Sequence, residues 1–344
     1  MLLRAIQSFA IRKVRGVVPD CTTAVARIGA SMILVLAKRI GLLIATIVVA
    51  TSALFALIHV SGDPTQGFLA PGSSPEVRDA MRARLGLDQP MFEQYVRFLG
   101  KGLTGDFGDS WRDRQSALQA VLDRLPATLR LMSSAVLLAT VLGVAGGLIA
   151  AWLPVGIVRG SFRVFTVLGQ AIPAFWLGIL LILLFAVKLR WLPSSGGDDF
   201  KSLILPSLTL ATYPASVIAR LLEAGLRDAF QQPFVNAARA KGLRPRAIWL
   251  RHVLPNAVMP ALAYVGLQVS FLVGGTVVVE SVFAYPGLGR FVLQSATERD
   301  LPVVQAFVVT IAVLVVTINT VIDLTAAVID PRLRGSPLQA VARG

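Results

Sequence analysis

The chain has 344 residues, of which 55% are hydrophobic and 15% charged, with a mean hydropathy of +0.71 and a formal net charge of +14. Soluble domains are about 45–50% apolar and about 25% charged, so this composition excludes a water-soluble globule and requires a bilayer as solvent. A single cysteine, Cys21, excludes an intrachain disulfide, and two histidines, His59 and His252, with no Cys/His cluster, exclude a His-rich metal site.

Residues 1–38 carry Arg4, Arg12, Lys13, Arg15, Arg27 and Lys38 against one acid, Asp20. Three readings are open for this stretch: a basic cytoplasmic tail, a stretch ahead of a start at the second methionine, Met32, or a helix held to anionic lipid by its cations. Six hydrophobic spans follow, Ile40–His59 (within a segment 39–60), Ala127–Trp152, Phe162–Val187, Leu203–Leu222, Ala257–Phe283 and Val303–Ile329. About 20 apolar residues cross the hydrocarbon, and in lipid a helix alone satisfies its own backbone. The expected fold is therefore an all-α polytopic membrane protein, with residues 127–329 forming spans two to six and 330–344 a tail. The first span is too long for the apolar core of a cleaved signal, and no small-residue cleavage site follows it. Leu203–Leu222 is the weakest span, short and interrupted by Pro206, Thr209, Thr212, Tyr213 and Pro214, so it must be packed among others or line a wet cavity.

Lys and Arg give the orientation. The N-terminal segment, the connection 223–256 and the tail (Arg332, Arg334, Arg343) are rich in cations, whereas segment 61–126 balances Arg78 to Arg124 against carboxylates from Asp63 to Asp123. The positive-inside rule then places both termini and 223–256 in the cytoplasm and 61–126 outside. The surplus charge is spread over several loops, which excludes a nucleic-acid-binding face. Segment 61–126 is too long for a plain connection, and stretches such as Ser74–Leu85 and Pro90–Leu99 are predicted helices.

The connection between spans four and five contains Gln232-Pro233-Phe234-Val235-Asn236-Ala237-Ala238-Arg239-Ala240-Lys241-Gly242-Leu243. Pro233 suits a first helical position and Gly242 the residue just past the end, so a helix of two to three turns is predicted between them. Pro245 then opens a second helix toward Leu254-Pro255. A helix this short needs a partner surface. Ala237 and Ala238 are small enough for another backbone to approach, with Arg239 and Lys241 beside them. By periodicity alone this is an amphipathic connector with solvated cations.

The order Asn236-Ala237-Ala238, Gly242, His252, Leu254-Pro255 resembles the loop of bacterial binding-protein-dependent ABC importer permeases, with Asn236 where Glu is usual and His252 where Ile is usual. Ala238-Arg239-Ala240-Lys241-Gly242-Leu243 is similar to the dipeptide/oligopeptide/nickel (DppB/OppB-type) branch. So are Gly62-Asp63-Pro64, Leu85 to Pro90, Gln94-Tyr95, Gly105-Asp106-Phe107-Gly108, Leu205 to Leu210, Glu280 to Gly289 and Asp330 to Arg334. The resemblance covers about residues 35–334, and Glu223 departs from it where a second Arg after Arg220 is common.

That resemblance implies a type I ABC importer permease fold in the bacterial inner membrane. It also implies a second homologous permease, two ATPase subunits, an extracytoplasmic solute-binding protein, and small peptides as the transported class. Nickel, glutathione or another non-peptide solute is the alternative. Phe234, Asn236, Ala237, Ala238, Arg239, Lys241, Gly242 and Leu243 would couple to the ATPase. Segment 61–126 would shape the outer mouth and receive the binding protein. ATP and Mg would be bound by those partners, because the chain has no Gly-x-x-x-x-Gly-Lys-Ser/Thr loop; no cofactor, metal or catalytic residue is expected here. Gly274-Gly275-Thr276 reads instead as close helix packing. A secondary transporter would show internal repeats and titratable midplane residues, and a membrane enzyme a convergent reactive set; neither is legible. Asp323 and Glu280 are expected to be hydrogen-bonded structural carboxylates rather than a proton relay, His59 an interface residue and His252 structural.

Overall fold

The computed structural model describes residues 21–60, 74–85, 88–152, 156–197 and 199–329. Residues 1–20, the 330–344 tail, Gly62-Asp63-Pro64 and the side chain of Asp323 lie outside that description, so the readings made of them gain no structural counterpart. Among the described residues everything regular is helical apart from one isolated bridge, Asp109 to Ser116. The helices are α1 (Cys21–Val60), α2 (Pro75–Leu85), α3 (Met91–Thr104), α4 (Ala117–Trp152) and α5 (Ile157–Ala171). They continue with α6 (Ala174–Leu181, extended by a π-helical Ile182–Lys188), α7 (Phe200–Gln231) and α8 (Pro233–Ala240). The last are α9 (Pro245–Ile248, extended by a π-helical Trp249–Val253), α10 (Leu254–Val282), α11 (Leu288–Thr297) and α12 (Leu301–Ile329). The chain divides into two units, Met1–Thr46 with Asp323–Gly344, and Ile47–Ile322; the packing described below is internal to the second.

Four stretches are long and apolar enough to cross a membrane unbroken: Ala37–Val60, Ala117–Trp152, Phe200–Gln231 and Leu301–Ile322. Two bent pairs raise the count to six, which agrees with the expected number. The third span is not the single helix expected over Phe162–Val187: Gly160–Ala171 and Ala174–Lys188 meet at 106°. The cause is local. A residue preceding proline is driven out of the helical region, and Ile172 before Pro173 has ψ 122°. The fifth span bends by 58° between Pro245–Val269 and Phe271–Val282.

The span that reads weakest in the sequence is the most enclosed. In its most apolar window 67% of α7 is buried, against 11% for α1. Its hydroxyls are satisfied at home: Thr209, Thr212 and Ser216 donate to the carbonyls of Leu205, Leu208 and Thr212 at 2.8–2.9 Å, and Ser207 meets Ser134 at 2.7 Å. Helix α4 approaches α7 through Gly143-x-x-x-Gly147. A Cβ on Gly143 would stand 2.6 Å from Ile218 Cβ, and one on Gly147 2.8 Å from the Ala219 carbonyl oxygen. Small residues at this spacing let helix backbones meet where lipid offers no hydrophobic drive. Gly225 does the same for α7 and α10, where a Cβ would lie 2.6 Å from the Ala257 carbonyl oxygen. The glycines singled out in the sequence, Gly274 and Gly275, do not make such an approach: nothing lies within 4 Å of a Cβ on the first, and Leu210 is at an ordinary 3.4 Å from one on the second.

Opposite the α8 end of the bundle, buried carboxylates hold the chain together. Glu280, fully buried, accepts from Thr128 Oγ1 at 2.7 Å and from the backbone N–H groups of Gly289 and Arg290 at 2.6 and 3.1 Å. Helix α11 has no side-chain cap at Gly287; its first N–H, that of Leu288, donates to Thr128 Oγ1, and the carboxylate from α10 takes the next two and lies at its positive end. Asp300 takes Ser110 Oγ at 2.5 Å and the N–H of Trp111 at 3.2 Å, and Arg112 pairs with Glu298 at 2.7 Å. These bonds tie the residues ahead of α4 to the α11–α12 corner.

Gly147→Leu is expected to lower stability by about 1–3 kcal/mol through overpacking, read as an earlier thermal loss of monodisperse protein in detergent. Gly160→Ala, in a helix and where a Cβ meets nothing within 4 Å, should not lower the midpoint and should raise it slightly, since Ala favours a helix over Gly by about 1 kcal/mol.

Candidate functional site: a short helix seated between two spans

Helix α8 forms where the sequence places it. Pro233 occupies its first turn, and its end is a Schellman motif: Leu243 N–H donates to the Ala238 carbonyl at 3.3 Å and Gly242 N–H to that of Arg239 at 2.9 Å. Gly242 has φ +73°, and a Cβ there would meet nothing within 4 Å. The glycine is therefore required by backbone conformation and not by space.

Side chains divide α8 into two faces. Val235 and Ala238, three residues apart, are buried at 0% and 6% exposure. They join a core with Leu222, Leu226 and Ala229 of α7, Ile248 and Val253 of α9 and its extension, and Ala257 and Ala261 of α10. That core continues through Ile218 and Ala211 to Ala139 of α4. The opposite face exposes Phe234, Asn236, Ala237, Arg239 and Ala240, with Lys241, Gly242 and Leu243 following. It is small at the centre, apolar at Phe234 and Leu243 and cationic at Arg239 and Lys241. Arg244, Arg246 and Arg251 are exposed nearby, as is Asp228.

Two of the sequence-based assignments change here. Ala238, read as a surface another protein approaches, instead seats α8 on its own chain, and Val235, which the sequence reading passed over, is its companion. Their i, i+3 spacing was the available signal. Second, the helix of span four does not end at Leu222, because α7 runs to Gln231. Glu223 is buried, paired with Arg227 one turn on, and 3.9 Å from Arg163 of α5. The second helix from Pro245 reaches Leu254-Pro255 and continues past it. A π-turn, with Leu254 N–H donating to the Trp249 carbonyl five residues back, carries it into α10, and Trp249 packs edge-on to Trp152 of α4 with ring centres 6.2 Å apart.

The carboxylate expected to be structural in span five is so: every contact of Glu280 given above is a hydrogen bond to its own chain. His59 lies at the end of α1, its Nδ1 2.9 Å from the Phe55 carbonyl oxygen. Among the described residues no group of His, Cys, Asp and Glu is placed to hold a metal. The site is a short helix whose buried face is continuous with two membrane spans.

A helical bundle of this layout, with up to six spans, is the type I ABC importer permease fold. Among solved structures, one described as "Inward facing conformations of the MetNI methionine ABC transporter" has a TM-score of 0.52 to this chain at 20% identity, covering 62% of it and 97% of that chain. The family model "Binding-protein-dependent transport system inner membrane component" matches residues 143–335, and its companion "Binding-prot-dependent transport system membrane comp, N-term" matches 32–132. The "Glutathione transport system permease protein GsiC" of Escherichia coli (strain K12) is 38% identical over 299 residues, 86% of this chain and 97% of that protein. The same figures hold for its namesake in Shigella flexneri serotype 5b (strain 8401). The chain belongs to the binding-protein-dependent transport system inner membrane component family, and is a permease subunit of an ABC importer. Such a subunit is a multi-pass protein of the bacterial inner membrane that works with ATPase and binding-protein partners.

Gly242→Ala is expected to destabilise by about 1–2 kcal/mol, the penalty of a left-handed backbone for a residue with a Cβ, and Gly242→Asn to recover much of that loss. Thermal midpoints of the two variants and the parent check this.

Proposed function

We propose that the chain forms half of a translocation path for small peptides, paired with a second homologous permease, and that α8 is the lever on which an ATPase subunit acts. The two-faced packing of α8 carries this reading. Because Val235 and Ala238 lock into α7, α9 and α10, a push on the exposed face of Phe234, Asn236, Ala237, Arg239, Lys241 and Leu243 cannot be absorbed locally. It passes into the two spans that flank it. The tight Schellman end at Gly242 keeps the helix from unwinding under that load. ATP and Mg belong to the partner, consistent with a chain that carries no phosphate-binding loop.

Peptides are the substrate class best supported. The motifs of the external segment resemble those of peptide permeases, whereas the 38%-identical relatives are named for glutathione, the alternative solute. An open, mainly apolar groove lined by Leu129, Met132, Ser133, Val136, Leu137, Thr140, Val269 and Ile318 carries no charge, which suits a conduit that leaves selection to the binding protein. Identifying the ligand that co-purifies with that binding protein tests the substrate class; a metal ion in place of a peptide would overturn it. With the termini inside, Asp106→Cys should react with an impermeant maleimide in intact cells and Lys241→Cys only after lysis, both in a Cys21→Ser background.

Ala237→Trp, on the exposed face, is expected to abolish solute-stimulated ATPase activity and transport in the reconstituted complex while leaving insertion and thermal midpoint unchanged. Normal stimulated ATPase in that variant would remove α8 from the coupling path. Ala238→Leu acts differently: it should lower stability by about 1–3 kcal/mol through the seat itself, read as a lower thermal midpoint.

A further inference from the structure

Helix α3 presents three faces, and spans cover one of them. On the covered face the Tyr95 hydroxyl lies 2.8 Å from that of Ser52 in α1, and the Tyr95 and Phe98 rings stand 5.4 and 5.6 Å from the Phe55 ring. Gln305 of α12 donates to the Phe98 carbonyl at 2.6 Å, and a Cβ on Gly102 would sit 3.2 Å from Thr51 Oγ1. A second face carries Glu93, Arg97 and Lys101, all exposed. The third is an apolar stripe: Phe92, Val96 and Leu103 are 75%, 51% and 52% exposed, with Leu99 between them. At about 100° per residue these spacings place the four on one side of the helix, away from the charged residues.

The depth of the contacts decides what covers that stripe. Helix α3 touches α1 at Thr51, Ser52 and Phe55, yet α1 continues apolar to Val60, with Leu57 and Val60 exposed at 62% and 86%. At 1.5 Å per residue, α1 runs on about 12 Å beyond Ser52. Helix α3 is thus level with the apolar end of a membrane span and not above it. That span is also the least enclosed of the straight ones, with 11% of its apolar window buried. The exposed stripe of α3 therefore lies at the depth of an apolar, exposed stretch of α1.

We infer that α3 is an interfacial helix sunk in the leaflet on the side of residues 61–126, with Phe92, Val96, Leu99 and Leu103 among acyl chains and Arg97 and Lys101 at headgroup level. An apolar stripe opposite a charged face is the pattern of helices that lie in the membrane plane, and long cationic side chains keep their charged ends in water. Through Ser52 and Gln305 this helix bridges α1 and α12, so lipid packing in that leaflet bears directly on those two spans. This inference goes beyond the coupling role of α8 and is independent of it.

The test uses the assembled transporter in phosphatidylcholine–phosphatidylglycerol vesicles, with nitroxides on Phe92→Cys, Val96→Cys and Leu103→Cys in a Cys21→Ser background. Val49→Cys in α1 is the lipid reference and exposed Asp106→Cys the water reference. Oxygen collisions are expected to exceed those of a water-soluble nickel chelate several-fold at all three stripe positions, as at the lipid reference. A chelate preference like that of the water reference would overturn the inference in favour of an aqueous face open to a soluble protein. Low collision with both reagents would overturn it in favour of a protein cover, such as the second permease. Phe92→Trp gives a second reading free of the label: its added emission should be strongly quenched by lipids brominated near the headgroup. Unquenched emission would count against lipid contact.

Discussion

The bundle depends on how closely α4 and α7 approach. Inside a bilayer, helices gain little by hiding apolar surface from one another, so contact must come from packing and from matched polar groups. Gly143 and Gly147 remove the side chains that would separate α4 from Ile218 and Ala219, and Gly225 removes the one that would separate α7 from Ala257. With its backbone held on two sides, α7 can bury a polar sequence, because each hydroxyl finds a carbonyl one turn back or, at Ser207, the Ser134 hydroxyl. A wider separation would leave those groups facing lipid.

The same contact makes α7 a stiff axle with a device at each end. On one side it runs straight to Gln231, turns within a residue and becomes α8, which folds back onto the core of α7, α9 and α10. On the other, Glu280 and Asp300 join α10, α11, α12 and the residues ahead of α4 through buried hydrogen bonds. On the proposed coupling role, movement imposed at α8 is carried by the spans as bodies.

Much of this was legible before any coordinates. Pro233 and Gly242 fixed the bounds of α8 because one lacks an N–H that would be orphaned and the other tolerates a positive φ. The apolar runs gave the spans, and the ordered motifs gave the family. Other features were not legible. Ala238 looked like a surface for a partner because small size is ambiguous: it permits approach from either side, and only the position of α7 shows which side is filled. Val235 was overlooked because its value lies in what it touches. The 106° bend at Pro173 hid inside a continuous apolar run, since hydropathy is blind to direction.

The sequence by itself determined that the protein lives in a membrane, where the short helix α8 begins and ends, and which family it belongs to. Those are properties of local composition, of single backbone positions and of motif order. The tertiary structure decided which small residues are contacts, which carboxylate caps which helix, and which face of α8 or α3 is left free. Such facts depend on pairs of residues far apart in the chain, like Thr128 with Glu280 or Ser52 with Tyr95, and no periodicity within one segment encodes its neighbour.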